Sequence, residues 1–419
     1  MTSAATEPAR FTLRCTRCGA EAAPRATACA GCGAALTVVH ALAPGAPVVD
    51  PARAGLWRYA PFLPIIDADA AISLGEGATP LVPSRSLGPA LGLRRLFFKM
   101  ESANPTGSYK DRIASVGLSR MRELGVRGWA ATSSGNAGAA LAAYGARAGM
   151  RGTLFTLETA PRAKLTQILA YGPRVLAIRG LGYDPEVERR TFQTVRGLCE
   201  ANDWAMQITA HVFNPVGMEG ARTIAFEVVE ALGRFPDQVY VPTGGGGLLS
   251  AIHKGLREWR AAGPAAGPGA SRVVCVQAAG CDPINQAWRE DRALRSIPTC
   301  TSRISGIQLT APPDGDLALA ALRDSGGWAT SVPDEAVWAA QRQLAQREGI
   351  FCEPASAAGV AGVLADAAAG RLGADDVIVC VITGVGFKDA AAATALSEGV
   401  EIPVLGLDAL AGHLAAEKA

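Results

Sequence analysis

Lys110 stands where an extended segment gives way to a helical pattern, and this position could make its side chain reactive. The strand-like residues 96–100 are followed by the turn residues Asn104, Pro105 and Gly107, after which apolar residues recur at helical spacing. The first turn of a helix presents unbonded backbone N–H groups and the positive end of the dipole, which disfavour an ammonium group. A lysine that loses its proton easily can condense with an aldehyde. The ordinary alternative is a solvated lysine in a first helical turn.

A run of four glycines, Gly244–Gly247, joins a strand-like segment at 238–242 to a helical segment from 248 onward. Successive N–H groups without side chains can converge on an anion at a helix N-terminus. The run matches neither a nucleotide P-loop nor a dinucleotide fingerprint, so a compact phosphate monoester is the simpler ligand. The alternative is a flexible turn, but four consecutive glycines cost folding entropy, which favours a binding role.

Two further loops follow strand-like segments and carry polar groups of the right kind for a small ligand. Ser133, Ser134 and Gly135 offer hydroxyls and N–H groups that suit a carboxylate, and the amide of Asn136 can contact a phenolic or carbonyl oxygen. Thr383 offers a neutral hydroxyl after the strand 377–382. Ordinary helix capping would explain the serines and the threonine equally well. In open α/β sheets, ligands bind at this carboxyl edge of the strands.

Taken together, these loops describe a site for pyridoxal 5′-phosphate. The aldehyde requires Lys110, the phosphate requires Gly244–Gly247, the ring oxygen can use Asn136, and the ring nitrogen can use Thr383. A hydroxyl at the ring nitrogen leaves that nitrogen largely unprotonated. An unprotonated ring nitrogen withdraws electrons less strongly, which suits elimination and replacement more than transamination.

Two C-x-x-C pairs near the N-terminus predict a metal site. Cys15 and Cys18 form the first pair, Cys29 and Cys32 form the second, and a glycine follows each pair. Four thiolates give a closed tetrahedral site, which is typical of structural Zn²⁺ in a small ribbon. Free cysteines, a redox pair or a vestigial ribbon are the alternatives. Few basic residues lie nearby, so we expect no nucleic-acid partner.

The elements that position these loops alternate between strand and helix after Lys110, which predicts an α/β fold with parallel sheets. We expect two doubly wound parallel-sheet domains with the cofactor between them, preceded by a zinc ribbon. The predicted units are a ribbon at 11–38, a linker at 39–70, a catalytic body at 71–404 and a C-terminal tail at 405–419. Within the body, the smaller domain spans approximately 105–215, and an Ala/Gly/Pro linker at 261–270 interrupts the larger one.

The composition and charge of the chain exclude several classes of protein. The 419 residues are 49% hydrophobic with a formal net charge of +2, which indicates a large core and no general polyanion partner. No apolar run approaches the roughly 20 residues that span a bilayer, so we expect no membrane partner. The first seven residues lack the features of a signal peptide. Ten scattered or ribbon-forming cysteines are not a disulfide framework, and we expect a cytoplasmic protein.

Seven stretches of the sequence resemble the tryptophan-synthase-β type (fold type II) of pyridoxal-phosphate enzymes, most closely the threonine synthases. They occur in the order of that family and cover most of the chain beyond residue 70: LGEGATPLV (74–82), NPTGSYKDR (104–112), SSGNAGAA (133–140), NPVGMEGARTIAFEV (214–228), TGGGG (243–247), EPASAA (353–358) and TGVGFKD (383–389). The N-terminal ribbon resembles extensions seen on some threonine synthase relatives.

The resemblance implies a role for each matching residue. Lys110 is the Schiff-base lysine and the later proton carrier, and Gly244–Gly247 bind the cofactor phosphate. Asn136 contacts the ring oxygen and Thr383 the pyridine nitrogen. Ser133, Ser134 and the neighbouring amides, including that of Gly135, bind the substrate carboxylate. The resemblance also implies a homodimer and an amino-acid substrate.

The chain departs from the threonine synthases in the segment that begins at Asn214. Gly217 stands where they usually carry an arginine that helps to bind the substrate phosphate, and His211 and Val212 match two polar positions. The glycine loop is also richer in glycine than theirs and resembles the loops of β-eliminating relatives.

These observations leave several functions open. The first is a threonine synthase-like conversion of O-phosphohomoserine and water to threonine and phosphate. The next are β-replacement on serine or O-phosphoserine, as in cysteate or diaminopropionate synthases, and threonine or serine dehydration. A different class is a non-catalytic relative that acts through its ribbon. Among the remaining residues we expect Glu101 and Arg112 to pair on the surface. His211 could contact the substrate, but a lone histidine is more often structural.

Overall fold

The computed structural model describes residues 10–41, 49–182, 184–262 and 270–416, and its first unit is a small antiparallel sheet. Parts of the predicted linkers, residues 42–48 and 263–269, lie outside the described residues, as do the first nine residues and the end of the predicted tail. The small sheet has the order β2-β1-β3, and its strands are β1 (Phe11–Cys15), β2 (Glu21–Ala22) and β3 (Leu36–His40).

The larger of the two remaining sheets has six strands in the order β12-β11-β10-β13-β5-β4. They are β4 (Leu81–Pro83), β5 (Arg95–Lys99), β10 (Gln238–Pro242), β11 (Arg272–Ala278), β12 (Trp328–Val332) and β13 (Val377–Val381). All neighbours run parallel except β4, which pairs antiparallel with β5. Strands β10, β11 and β13 are almost wholly buried, as expected of parallel strands covered on both faces.

The smaller parallel sheet has four strands in the order β8-β7-β6-β9. They are β6 (Gly128–Thr132), β7 (Arg151–Leu157), β8 (Arg174–Ile178) and β9 (Trp204–Met206). The predicted α/β class with two parallel sheets and a preceding ribbon is therefore confirmed. The sequence reasoning missed β4, β9 and β12, because the first two are three residues long and β12 mixes apolar with hydroxyl side chains.

Helices connect the strands of both sheets and cover their faces. They are α1 (Leu87–Ala90), α2 (Lys110–Glu123), α3 (Asn136–Ala148), α4 (Arg162–Ala170), α5 (Pro185–Asn202), α6 (Pro215–Leu232), α7 (Gly247–Ala262), α8 (Pro283–Arg289), α9 (Gly315–Ser325), α10 (Asp334–Glu348), α11 (Pro354–Ala368), α12 (Ala390–Ala395) and α13 (Leu410–Ala416). Among the described residues, no helix has both the length and the apolar character to cross a membrane. The segment expected to be a connector contains a 3₁₀ helix, Gly55–Phe62, whose Leu56, Tyr59 and Phe62 are buried.

Helix α6 is central to the core, because it packs between α2 and α7 and is buried along most of its length. Asn214 caps its first turn, where the side-chain Oδ1 accepts a hydrogen bond of 2.9 Å from the N–H of Gly217. Pro215 follows at the first helical position, where its missing N–H costs nothing. The start of α6 is therefore set by local sequence.

The prediction that Glu101 and Arg112 pair on the surface is wrong, because both side chains are fully buried. The Arg112 guanidinium donates to the carboxylates of Glu101 and Glu227 at 2.7–2.8 Å, and Lys99 donates to Glu227 from the other side. The residues come from β5, the loop after it, α2 and α6. Burial is tolerated because each charge has a partner of opposite sign. This network anchors α2 two residues beyond Lys110.

Candidate functional site

Lys110 is the first residue of α2, as the sequence pattern predicted, and its half-buried side chain points towards the segment after β9. Its Nζ donates a hydrogen bond of 2.8 Å to the hydroxyl of Thr209, and it also lies 4.6 Å from the ring centroid of Tyr109. The partner is a neutral oxygen. Among the described residues no carboxylate pairs with this ammonium, and it can exchange its hydrogen bond for another at little cost.

Thr383 lies beside the lysine because the loop after β13 pairs with the loop before α2. The carbonyl of Thr383 accepts a hydrogen bond of 3.1 Å from the N–H of Tyr109, and Ser108 forms an antiparallel bridge with Gly384. The hydroxyl of Thr383 lies 2.9 Å from the hydroxyl of Ser356. Two buried, neutral hydroxyls therefore lie together at a loop whose backbone contacts the residue before Lys110.

Asn136 is the first residue of α3, and its amide contacts a carboxylate. The Nδ2 atom donates to Oε1 and Oε2 of Glu353 at 3.0 and 3.1 Å. Burial raises the pKa of the Glu353 carboxyl to about 7, against the opposing effect of the Asn136 hydrogen bond. A side chain at Gly384 would begin 2.5 Å from Glu353 and 3.2 Å from the Asn136 amide. Only glycine at 384 leaves room for this pair.

The loop Ser133–Gly135 lies at the start of the same helix. The Ser133 hydroxyl accepts hydrogen bonds from the N–H groups of Gly135 at 3.2 Å and Gly138 at 3.0 Å. These two hydrogen bonds are the kind that helix capping by Ser133 predicts. Ser134 and Gly135 remain at least partly exposed at the carboxyl edge of β6. The role of this loop in carboxylate binding stays a prediction.

The glycine run joins β10 to α7, and the chain segment before α9 packs directly against it. A Cβ at Gly244 would lie 3.0 Å from the Cα of Ile307, and a Cβ at Gly246 would lie 2.6 Å from the carbonyl of Asp314. Gly246 also has a φ of 90°, in the region that favours glycine. A Cβ at Gly247 would lie 2.6 Å from a carboxylate oxygen of Asp314. Close packing therefore excludes side chains here, and backbone groups line the start of α7.

Asp314 links the glycine run to the segment that holds the lysine partner. Its Oδ2 accepts from the N–H of His211 at 2.8 Å and lies 3.1 Å from His211 Nδ1, and its Oδ1 accepts from the N–H of Val212 at 3.2 Å. Its own N–H donates to the carbonyl of Gly245. His211 is buried and held by this carboxylate. The contacts run continuously from Gly245 to the Thr209 region.

The geometry fits a cofactor that carries both an aldehyde and a phosphate. Lys110 could hold the aldehyde, since its amine has only a hydroxyl partner, and the bare backbone of Gly244–Gly247 at a helix N-terminus could hold the phosphate. Thr383 and Asn136 lie on the same side of the site, joined to the lysine loop through Gly384. The structure thus brings the four predicted cofactor contacts to the carboxyl edges of the two sheets.

The four cysteines of the ribbon form a cluster, as their spacing predicted. Their sulfur atoms all lie within 4.8 Å of one another, with Cys15–Cys32 at 3.4 Å and Cys18–Cys29 at 3.7 Å. A tetrahedral Zn²⁺ with Zn–S bonds of about 2.3 Å requires edges of about 3.8 Å. The N–H groups of Cys18 and Arg17 point at Cys15 and lower the pKa of its thiol to about 6. This donor set could hold a structural metal ion.

Sequence reasoning did not assign a role to several residues that the structure places in or beside the site. They are Thr209, Ser305, Asp314, Glu353, Ser356, Lys164 and Lys388. The stretch EPASAA offered a signal for Glu353 and Ser356, because it opens a helix beside a strand end. The other five residues lie in segments without a recognisable sequence motif, and only tertiary contacts bring them to the site.

Comparison with protein families gives one match that covers most of the chain. The family model described as pyridoxal-phosphate dependent enzyme matches residues 72–384. Among curated proteins, the chain is 38% identical to the threonine synthase of Methanocaldococcus jannaschii over 348 residues, which cover 82% of this chain and 83% of that protein. It is 35% identical to the threonine synthase of Methanosarcina acetivorans, over 90% of this chain and 92% of that protein.

Solved structures share the fold. A T.th. threonine deaminase is similar with a TM-score of 0.60 and 26% identity, covering 73% of this chain and 92% of that chain. The maize serine racemase has a TM-score of 0.63 at 21% identity, covering 81% and 92% of the two chains. The second likeness concerns the fold alone.

Proposed function

The chain belongs to the pyridoxal-phosphate dependent enzyme family, and from that premise we propose that it catalyses a threonine synthase-like reaction. In this reaction O-phosphohomoserine and water give threonine and inorganic phosphate. The γ-phosphate leaves as an anion, and water adds its hydroxyl to the β carbon. The similarity to threonine synthases over more than four fifths of the chain supports this choice of substrate.

The position of Lys110 carries the proposal. It stands at the start of a helix, hydrogen-bonded to the Thr209 hydroxyl, and it lies one residue from the backbone contact between Tyr109 and Thr383. A lysine held in this way by neutral groups can act both as the cofactor anchor and as a base. Bound pyridoxal phosphate would supply the electron sink for the charge that remains on the substrate α carbon after proton removal.

We assign each remaining role in the reaction to a residue of this chain. We assign proton removal and return at the substrate carbons to Lys110 Nζ, and orientation of the substrate carboxylate to Ser133, Ser134 and Gly135. Asn136 would donate its amide to the ring oxygen of the cofactor. Thr383 would offer its hydroxyl, paired with that of Ser356, to the ring nitrogen. A neutral hydroxyl pair favours an unprotonated nitrogen, which suits elimination.

We also propose Zn²⁺ in the ribbon, held by Cys15, Cys18, Cys29 and Cys32. The sulfur distances and the converging N–H groups support this assignment. Four protein ligands leave no open coordination position, so the ion would have a structural role and no part in the reaction.

A second candidate is β-replacement or dehydration of serine, O-phosphoserine or threonine, and Gly217 favours it. A Cβ at this position would lie 2.4 Å from the Asn214 amide that caps α6. A side chain at 217, such as the arginine expected from the resemblance to threonine synthases, would therefore require the Asn214 amide to move from its present capping position. Without that arginine, a smaller substrate with another leaving group remains an alternative to O-phosphohomoserine.

A substrate series distinguishes the candidates. The protein purified with pyridoxal phosphate would be incubated with O-phosphohomoserine, O-phosphoserine, serine and threonine, with assays for inorganic phosphate, threonine and 2-oxo acids. We expect equal amounts of phosphate and threonine from O-phosphohomoserine. Turnover only of serine-type substrates would replace the proposal with β-replacement or dehydration. No turnover of any of these amino acids would favour the non-catalytic class.

We propose a cytoplasmic homodimer without nucleic-acid or membrane partners, in which the smaller domain spans approximately 105–215. The near-neutral net charge of +2 and the resemblance to dimeric relatives support this description. Light scattering of the purified protein gives the oligomeric state, and a mass of about 43 kDa rather than 86 kDa would contradict the dimer.

A further inference from the structure

The lysines around the site have unusual partners. Five lysines lie in the described part of the chain, and three of them donate to a neutral side-chain oxygen and to no carboxylate: Lys110 to Thr209 at 2.8 Å, Lys164 to Ser305 at 2.5 Å and Lys388 to Gln167 at 2.6 Å. The other two donate to carboxylates: Lys99 to Glu227 and Lys254 to Glu219. The three lysines that have no hydrogen-bonded carboxylate among the described residues are the three at the site. A cluster of this kind can accept an anion without first breaking a hydrogen bond to a carboxylate.

Lys164 is partly exposed and has no carboxylate within hydrogen-bond distance among the described residues. It stands in the first turn of α4, and its side chain is 23% exposed. The nearest carboxylate oxygen belongs to Asp389 and lies 3.9 Å away, beyond hydrogen-bond distance. That carboxylate also caps α12, since its Oδ1 accepts from the N–H of Ala392.

The contact between Lys164 and Ser305 joins the two halves of the site. Lys164 belongs to the helix that follows β7 in the smaller sheet. Ser305 precedes Gly306 and Ile307, which pack directly against Gly244 in the glycine run. The lysine therefore reaches from the smaller sheet to the segment that covers the predicted phosphate loop.

Lys388 stands beside this contact through the same helix. It donates to Gln167, one turn after Lys164 on α4, and Gln167 donates in turn to the carbonyl of Thr106 at 3.2 Å. Its Cε would lie 3.3 Å from a Cβ at Gly107 in the lysine loop. Burial lowers the pKa of Lys388, although Asp111 and Glu353 oppose this effect. Two cations, one on α4 and one hydrogen-bonded to it, therefore lie where α4 contacts the loop that precedes Lys110.

The acidic groups nearby do not cancel this charge. Asp111 and Glu353 are buried, and burial raises the pKa of each carboxyl to about 7. Both acids are consequently only partly ionised at neutral pH. Asp389 is the remaining carboxylate close to Lys164.

We propose that Lys164 binds the anionic leaving group of the substrate, a phosphate monoester, in place of the arginine that is absent at Gly217. The proposal rests on the proposed function and names the residue that would give that function its substrate specificity. In the substrate-free protein the ammonium stays on the Ser305 hydroxyl, and the phosphate of the substrate replaces that hydroxyl as its partner. Lys164 is a specificity-determining residue rather than the base.

The test compares two amino acids that differ in the phosphate-like group. The first is the non-hydrolysable phosphonate isostere of O-phosphohomoserine, and the second is norvaline, which lacks the anionic group. Their dissociation constants would be measured by calorimetry on the protein loaded with pyridoxal phosphate. In Lys164→Gln we expect the phosphonate to bind about 10- to 100-fold more weakly, with norvaline affinity unchanged.

Two further variants separate the contact from general charge effects. Arg162→Gln removes an exposed positive charge two residues away on α4 and should leave both affinities unchanged. Lys164→Arg keeps the charge and should restore most of the phosphonate affinity. Ser305→Ala keeps Lys164 and removes its present partner, so the phosphonate should bind as tightly as to the unchanged protein, or more tightly.

The outcomes separate this inference from the proposed function. If the unchanged protein binds the phosphonate no better than norvaline, the proposed substrate class is wrong. If it prefers the phosphonate and Lys164→Gln binds it equally well, the assignment of Lys164 is wrong. If Lys164→Gln does not fold, the Ser305→Ala and Lys164→Arg variants decide. Phosphonate affinity that falls in Ser305→Ala, or that stays lost in the folded Lys164→Arg variant, would also contradict it.

Discussion

The amide of Asn136 donates to both carboxylate oxygens of Glu353, at 3.0 and 3.1 Å, so that the first turn of α3 is tied to the residue that precedes α11. The two residues lie 217 positions apart in the sequence. The Glu353 carboxylate is buried and accepts its hydrogen bonds from this neutral amide rather than from a cation. Its pKa of about 7 is the consequence of burial that the hydrogen bond only partly offsets.

This raised pKa predicts a pH-dependent stability. The folded protein holds a proton on Glu353 up to about pH 7, whereas the reference value is 4.5. The contribution of Glu353 to the free energy of unfolding is therefore complete below about pH 4.5 and is lost as the pH rises through about 7. The loss amounts to about 3 kcal/mol at most. The measurement is urea unfolding of the cofactor-free protein and of Glu353→Gln at pH 5, 6, 7 and 8.

Other groups titrate in the same range, so the difference between variants is the informative quantity. Glu353→Gln cannot ionise and should gain stability relative to the unchanged protein as the pH rises from 5 to 8. The exposed Glu200→Gln variant should run parallel to the unchanged protein. A constant difference between Glu353→Gln and the unchanged protein would show that Glu353 does not titrate as we describe.

Lys110→Ala should abolish turnover, because it removes both the cofactor anchor and the base. We expect kcat to fall by at least about 10³-fold, together with loss of the visible absorption of the bound cofactor. Circular dichroism should show an intact fold, since the side chain donates a single hydrogen bond, to Thr209. Arg122→Ala, an exposed change near the other end of α2, is the control and should retain activity. Full turnover by Lys110→Ala would remove Lys110 from the mechanism.

Arg112→Met should destabilise the protein strongly. The substitution leaves the carboxylates of Glu101 and Glu227 buried without their arginine, and breaking a buried pair in this way costs about 3–5 kcal/mol. The measurement is the free energy of unfolding in urea at pH 7. The exposed pair of Arg189 and Glu186 provides the control, and Arg189→Met should cost less than about 1 kcal/mol. Equal costs for the two variants would contradict the account of the buried network.

Cys18→Ser and Cys32→Ser should each remove the metal from the ribbon. We expect zinc to fall from about one ion per chain to nearly none in elemental analysis, because the closed site needs four thiolates. The melting temperature should fall by about 5 °C or more. Strand β3 loses support in these variants. In the intact ribbon, its Val38 carbonyl accepts from Lys254 on α7, and its His40 ring lies 2.7 Å from Arg222 on α6.

The matched control for the metal is Cys300→Ser, which changes a cysteine outside the ribbon and should keep the zinc. The visible absorption of the cofactor should survive in all three variants. An unchanged zinc content in Cys18→Ser or Cys32→Ser would rule out the four-cysteine site. Little zinc in the unchanged protein, even after growth with added zinc, would identify a vestigial ribbon.

The parts of the fold that sequence reasoning predicted correctly depend on short-range patterns. The alternation of strand and helix predicted two parallel sheets, since each element is specified by its own periodicity and turns. Strands as short as β9 carry too little periodic signal to be found, and β12 is too mixed in composition. The start of α2 at Lys110 and the clustering of the four cysteines were predicted for the same reason, because turn residues and C-x-x-C spacing act locally.

The burial of side chains was harder to predict than which neighbouring residues contact each other. Glu101 and Arg112 were expected to meet at the surface, and they do meet, but at zero exposure. Nothing in the local sequence reveals that Lys99 and Glu227 complete their charge balance, since Glu227 arrives from a helix more than one hundred residues away. A buried ion network requires all of its partners at once, and local patterns show only two of them.

The sequence by itself determined which local structures carry the chemistry: a lysine at a helix start, a glycine run at another, two hydroxyl-bearing loops and two cysteine pairs. The tertiary structure decided which distant groups face them. It set Glu353 against Asn136, Asp314 against His211, and Lys164 against Ser305 across the two sheets. The physical reason is that backbone conformation follows from neighbouring residues, whereas side-chain partners and their burial depend on how the sheets and helices pack together.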